Sequence, residues 1–152
     1  MEATEQFTEV HDVLATLPPT AFNAAVGVHN SGYVLLADYH RAFAWLDLGE
    51  AIQAATIDVA VTQATSALGA NAKPLLTTAG ATKNPAQIVV ADAGQHVGIE
   101  IRSEELDITN LYIFIQAAVT VALDVFYYDL VIFGIVSRYE PVGVTDFLSL
   151  MP

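Results

Sequence analysis

Hydrophobic and polar residues alternate along most of this chain with a period of two. In residues 40–48, Ala42, Ala44, Leu46 and Leu48 fall on one side, and Arg41, Phe43, Trp45 and Asp47 on the other. That is the pattern of a strand with one face in a core. Residues 56–63 repeat it, with Ile57, Val59 and Val61 inward and Asp58, Ala60 and Thr62 outward, as do residues 97–102 with Val97, Ile99 and Ile101 inward. Shorter strands are expected at 22–28 and 33–38, separated by the turn His29-Asn30-Ser31-Gly32, and at 87–91.

Residues 111–136 are apolar, aromatic and β-branched almost throughout, interrupted by Asp124 and Asp129. A membrane helix would carry both carboxylates near its middle at a cost of about 2.5–3.5 kcal/mol each. Two strands, 111–122 and 125–136, joined at Asp124 fit the same residues without that cost. Because both their faces are apolar, both need cover: a second sheet on one side, and on the other something further, such as another copy of the chain.

Two stretches break the alternation. In residues 1–17, Phe7, Val10, Leu14 and Leu17 recur at helical spacing, Thr4 is placed to cap, and Pro18-Pro19 ends the run. A short helical arm is therefore expected over residues 1–19, docked on its own body or on a neighbour because so short a helix is marginal alone. Removing residues 1–17 is expected to weaken association with a neighbour and leave the rest folded. Residues 64–85 are rich in alanine, threonine, glycine and asparagine, contain Lys73, Pro74 and Lys83, and lack a sustained apolar face. They read as a long loop, divided at most by a short buried strand around Leu75 and Leu76. The turn Ser103-Glu-Glu-Leu-Asp107 reads as one helical turn capped by Ser103. About eight strands without a βαβ rhythm predict an all-β fold, an antiparallel sandwich of jelly-roll type, over residues 20–152.

Composition adds two constraints. The 152 residues are 54% hydrophobic and 14% charged, against an ordinary apolar share of roughly 45–50% on a count that includes glycine. The excess points to a subunit partly covered by neighbours. Seventeen acidic residues against five basic ones give a formal charge of −12, which repels phosphate backbones and anionic lipid, so neither nucleic acid nor membrane is an expected partner. The charge keeps an apolar subunit soluble and suits a basic or mixed partner surface. There is no cysteine, hence no disulfide or thiol chemistry. The opening Met1-Glu-Ala-Thr-Glu is acidic where a secretory leader is basic, so no leader is expected.

Candidate chemistry is sparse. Asp38 and His40 lie two apart and share a strand face, but a metal site needs a third ligand from elsewhere. Glu104, Glu105 and Asp107 supply hard oxygens without the glycine and spacing of a calcium loop, and read as a solvated turn. His96 follows Asp92 in a glycine-containing turn, but no Gly-x-Ser-x-Gly elbow frames a nucleophile, and neither phosphate-binding glycine motif occurs. No catalytic residue, cofactor or metal is assigned. The aromatic set Tyr112, Phe114, Phe126, Tyr127, Tyr128 and Phe133 fits core packing first, then a subunit interface, then a sugar-stacking platform.

Three phrases carry a resemblance: Gln63-Ala-Thr-Ser-Ala-Leu-Gly-Ala-Asn-Ala-Lys73, Ile101-Arg-Ser-Glu-Glu-Leu-Asp107, and Ser137-Arg-Tyr-Glu-Pro-Val142. In this order they resemble small virion proteins of tailed bacteriophages, over residues 38–142. The chain departs from the pattern in its longer N-terminal segment and in Asn110, where glycine is more usual. The resemblance implies a capsid-decorating or cement protein on the virion surface, assembled in the host cytoplasm, with the major capsid protein as partner and self-association as a dimer or trimer. It implies no catalytic residues. Contacts are expected from Phe7, Val10 and Leu14 in the arm, from Lys73 and Lys83 in the loop, and from Phe147 and Leu148 near the C-terminus. The rival expectation is a carbohydrate-binding β module on a spike or fibre, using Trp45 or the tyrosines. A jelly-roll hydrolase is a third reading, and it calls for a polar pocket at His40 or His96.

Overall fold

A computed structural model of the chain describes residues 11–137. They form ten strands: β1 (His11–Leu17), β2 (Gly27–Asn30), β3 (Val34–Leu35), β4 (Tyr39–Ala51), β5 (Thr56–Ala64), β6 (Lys73–Pro74), β7 (Ile88–Val89), β8 (His96–Arg102), β9 (Phe114–Ala122) and β10 (Phe126–Ser137), with one short helix, α1 (Ala21–Ala24). One sheet, here the first, has the order β1-β10-β4-β8; the second has β2-β9-β5-β6, with β3 also on β9 and β7 also on β5. All pairings are antiparallel. The two sheets pack face to face as an antiparallel β-sandwich.

The core follows from the alternation. Ala42, Ala44, Leu46 and Leu48 of β4 and Phe126, Tyr128, Leu130 and Ile132 of β10 meet Ile57, Val59 and Val61 of β5 and Ile115, Ala117, Val119 and Val121 of β9, all buried. Every second residue of each strand enters the interior, as the pleat requires. Burial of so many aliphatic side chains, about 1.5–3 kcal/mol each, is the main driving force for this arrangement.

Three expectations need correction. Residues 11–17 are not helical: β1 pairs with β10 from His11 opposite Ile135 to Leu17 opposite Leu130, with a bulge at Leu14 between Val13 and Ala15. The edge of β10 offers this segment a full hydrogen-bond ladder and buries Leu17, which an isolated helical turn cannot match. Removing residues 1–17 would therefore strip a strand from the first sheet; Thr4, Phe7 and Val10 lie outside the described residues.

Residues 21–24 are helical rather than extended. Thr20 Oγ1 accepts the Asn23 N–H at 3.2 Å, and the Asn23 amide donates to the Pro18 carbonyl at 2.8 Å, a cap that local side chains supply ahead of any ladder.

The cap of the acidic turn is also displaced by one residue. The 3-10 turn Ser103–Glu105 is closed by Glu105, whose carboxylate accepts the Arg102 N–H at 2.9 Å, while Ser103 opens the turn itself.

Candidate interaction surface

The long loop is folded tightly onto the acidic turn. At the end of β5, Gln63 occupies a buried position, and its Oε1 accepts the Asp107 N–H at 2.9 Å. Lys73 Nζ donates to Asp107 Oδ2 at 2.5 Å and sits 3.9 Å from the centroid of the Tyr112 ring. Asn110 donates to both Asp107 oxygens at 2.9 Å. The Lys73 and then the Asn110 hydrogen bonds hold the Asp107 carboxyl below the usual carboxylate range. Ten residues on, the Lys83 ammonium pairs with Glu105, with side chains only 15% and 6% exposed. Leu75 between them is fully buried, and its N–H donates to the Val61 carbonyl at 2.9 Å. At the loop tip, Gly69 (φ 78°) lies under the Tyr33 ring, where a Cβ would approach Cε2 to 2.6 Å, and Tyr33 is hydrogen-bonded to Thr62 Oγ1 at 3.0 Å.

Thus both lysines expected to reach a partner are engaged within the chain. Arg41 pairs with Glu100 at 3.3 Å, and Arg102 with Glu100 at 3.3 Å and Glu104 at 3.7 Å. Every lysine and arginine among the described residues is ion-paired.

The two outer faces differ. The centre of the second sheet's outer face carries small and polar side chains, Asp58, Ala60 and Thr62 on β5 beside Thr120, Ala118 and Gln116 on β9, while its flanks carry the exposed Val28, across from Thr120, and Val89, across from Thr56. The outer face of the first sheet mixes aromatic, aliphatic and charged side chains and reads as four rungs across the strands. Asp129, Asp47 and His96 form the first rung. Thr16, Val131, Trp45 and Gly98 form the second, and Val13, Phe133, Phe43 and Glu100 the third. His11, Ile135, Arg41 and Arg102 form the last. Trp45 is 38% exposed and Tyr127 36%.

The packing of this face is specific. Phe43 and Trp45 have ring centroids 6.0 Å apart, and Trp45 stacks on His96 at 5.1 Å. Phe43 fills the space over Gly98, where a Cβ would come within 2.5 Å of its Cζ. His96 Nδ1 lies 3.0 Å from Asp47 Oδ1. Asp129 stands directly across from Asp47, and burial, then the Asp47 charge, raise its carboxyl above the usual range.

The remaining sequence candidates fall as follows. Leu14 sits at the β1 bulge, half-buried against the core. Phe147 and Leu148 lie outside the described residues. Of the aromatic set, Phe126 and Tyr128 are core, Tyr127 and Phe133 stand on the outer face, and Tyr112 lies under Lys73. His40 borders an open cleft with Arg41, Arg102, Ser103 and Glu104, at the opposite end of the first sheet from His96. Among the described residues no group of three His, Asp or Glu side chains is placed to hold a metal, and no helix is long and apolar enough to cross a membrane. The like-charged pair Asp47–Asp129 was missed by sequence reasoning; strand alternation puts each on an outer face, but their register is set only by the pairing of β4 with β10. No protein-family model, curated protein or solved structure matches the chain.

Proposed function

We propose that this protein is a structural virion component of a tailed phage, a jelly-roll decoration protein that binds the assembled capsid and stabilises it. The observation that carries this reading is the outer face of the first sheet, where Phe43, Trp45, Val131 and Phe133 adjoin, Trp45 exposed and the other three half-buried, on a chain with a formal charge of −12. A solvent-facing sheet normally presents polar residues there, and a contiguous apolar patch marks an interaction site. The strand order supports the jelly-roll form. With the split edges β2/β3 and β6/β7 each counted once, first pairs with last, second with second-last, third with third-last, and the middle two with each other. The folded loop, held at Gln63, Lys73 and Lys83 by the acidic turn, brings together two of the phrases on which the phage resemblance rests.

The mechanism is linkage. A ligand that binds the closed shell and not its separated subunits stabilises the shell by RT ln(1 + [L]/Kd), about 2.7 kcal/mol per site at a hundredfold excess over Kd. The partner is the major capsid protein at the virion surface. Cosedimentation of the purified chain with undecorated heads, followed by thermal disruption of those heads, tests the reading: saturable binding with raised disruption temperature is expected, and absence of binding would refute it.

A second reading is favoured by one observation, the exposed rings of Trp45 and Tyr127 beside the carboxylates of Asp47 and Asp129. Aromatic rings flanked by hydrogen-bonding carboxylates suit a sugar ring. Glycan screening with the Trp45→Ala variant separates the two: a glycan lost on substitution supports carbohydrate binding.

A further inference from the structure

Among the described residues the two sheets end in four strand edges, and three of them carry features that block the addition of a further strand. β1 is bulged at Leu14, β2 and β3 are four and two residues long, and β6 and β7 are two residues each, with Pro74 in β6. β8 carries none of these: its seven residues include no proline and hold an unbroken register with β4. The Leu48 N–H donates to the Gln95 carbonyl at 3.0 Å, which fixes the phase of the ladder between β4 and β8. Val97, Ile99 and Ile101 therefore bond to β4, and the N–H and C=O groups of His96, Gly98 and Glu100 point the other way. Arg102, in the same phase, turns its N–H outward to Glu105 at 2.9 Å, which closes the open edge at that end.

Beside Gly98 and Glu100 lies an open cleft of about 460 Å³, with the loop over 77–85 as its other wall. The loop does not supply the missing ladder: among the described residues no backbone hydrogen bond joins it to β8, and Pro85 has no N–H to give. The side chains of Thr77, Thr78, Thr82 and Asn84 line the cleft without a hydrogen-bond partner among the described residues. An unpaired strand edge thus faces a row of unused donors and acceptors across a gap.

We propose that β8 is a strand-addition site: an extended basic peptide segment of a partner protein lies in this cleft and pairs its main chain with Gly98 and Glu100. The threonine hydroxyls and the Asn84 amide hold its other edge. The open edge from Gly98 to Arg102 is about 13 Å long, enough for about four residues of extended chain. Within the cleft the charges balance, Lys83 and Arg102 against Glu100 and Glu105, so the sign of the partner is set by the formal charge of −12, which repels an acidic peptide and draws a basic one. A second copy fits less well, because its own β8 would bring its own loop wall into the same space. The edge is separate from the outer face of the first sheet, and its occupant is independent of the decoration reading.

The experiment is a nuclear magnetic resonance titration of the nitrogen-15-labelled full chain with three octapeptides: one alternating valine and lysine, its valine–glutamate counterpart, and the valine–lysine peptide with every backbone nitrogen methylated. The valine–lysine peptide is expected to shift the Gly98 and Glu100 amide signals saturably, with half-saturation below about 1 mM, and to slow their exchange with solvent. The valine–glutamate peptide should bind about tenfold or more weakly for its charge, and the methylated peptide likewise for want of N–H donors. Glu100→Pro removes an outward N–H at an edge position, where proline is tolerated, and should weaken the valine–lysine peptide to the same degree. Unmoved Gly98 and Glu100 signals, equal binding of the methylated peptide, or tighter binding of the valine–glutamate peptide would overturn the proposal. So would concentration-dependent protection of the same two amides in the chain alone, which would assign the edge to a second copy.

Discussion

The ring of Phe43 rests on the backbone of Gly98 in the neighbouring strand, so closely that a methyl group there would lie 2.5 Å from the ring edge. Gly98 is thus the floor on which the exposed aromatic row is built. Gly98→Val should push Phe43 off the sheet and cost about 1–3 kcal/mol through overpacking. Thermal unfolding measures the cost, and near-ultraviolet circular dichroism reports the disturbed Phe43–Trp45 pair; an unchanged spectrum would show that the ring does not depend on the glycine.

Lys83 and Glu105 form the least exposed ion pair of the described residues, and Glu105 also accepts the Arg102 N–H. Glu105→Ala leaves an ammonium group and a backbone donor without partners, so a loss of about 3–5 kcal/mol is expected in denaturant unfolding. Lys83→Met combined with Glu105→Gln should recover part of it, because neither a buried charge nor an empty space is left behind.

Tyr128 is buried between the sheets, its hydroxyl has no hydrogen-bond partner among the described residues, and burial raises its pKa. Tyr128→Phe removes an unsatisfied polar atom while keeping the ring. Stability should hold or rise by about 1 kcal/mol; a clear loss would reveal a partner for the hydroxyl.

The two shifted aspartates give opposite dependences on pH. Asp129 has its folded pKa above the unfolded value, so the native state holds that proton more tightly, and stability falls as pH rises through the folded pKa. Asp129→Asn should therefore stabilise the chain at pH 7 and have little effect at pH 3. Asp107 has its folded pKa below the unfolded value, so the stability it contributes is full above about pH 4 and is lost as pH falls through the folded pKa. Lys73→Met should accordingly destabilise at pH 7, with the difference shrinking in acid. Urea unfolding at both pH values checks both.

The sandwich was legible because alternation is a local signal. Ala42 to Leu48, Ile57 to Val61 and Val97 to Ile101 sit on the faces their spacing assigns, and the doubly apolar run before Val136 became β9 and β10. What failed was local propensity against tertiary pairing. Leu14 and Leu17 keep helical spacing, yet the free edge of β10 claims them; Phe22 belongs to a strand-like run, yet Thr20 and Asn23 cap a helical turn there. Lys73 and Lys83 looked like loop cations reaching outward, because nothing in their neighbourhood along the chain discloses Asp107 and Glu105, more than twenty residues away. The rungs of the outer face are likewise a product of register, which alternation alone leaves open.

Trp45 is the chain's single tryptophan and stands at the middle of the proposed docking face, so its fluorescence reports on that face alone. The most direct measurement is acrylamide quenching of Trp45 in the free chain and in the chain bound to undecorated heads. Burial of the first sheet's outer face predicts that the quenching constant drops several-fold on binding; a bound chain whose Trp45 is quenched as readily as in the free state would contradict it.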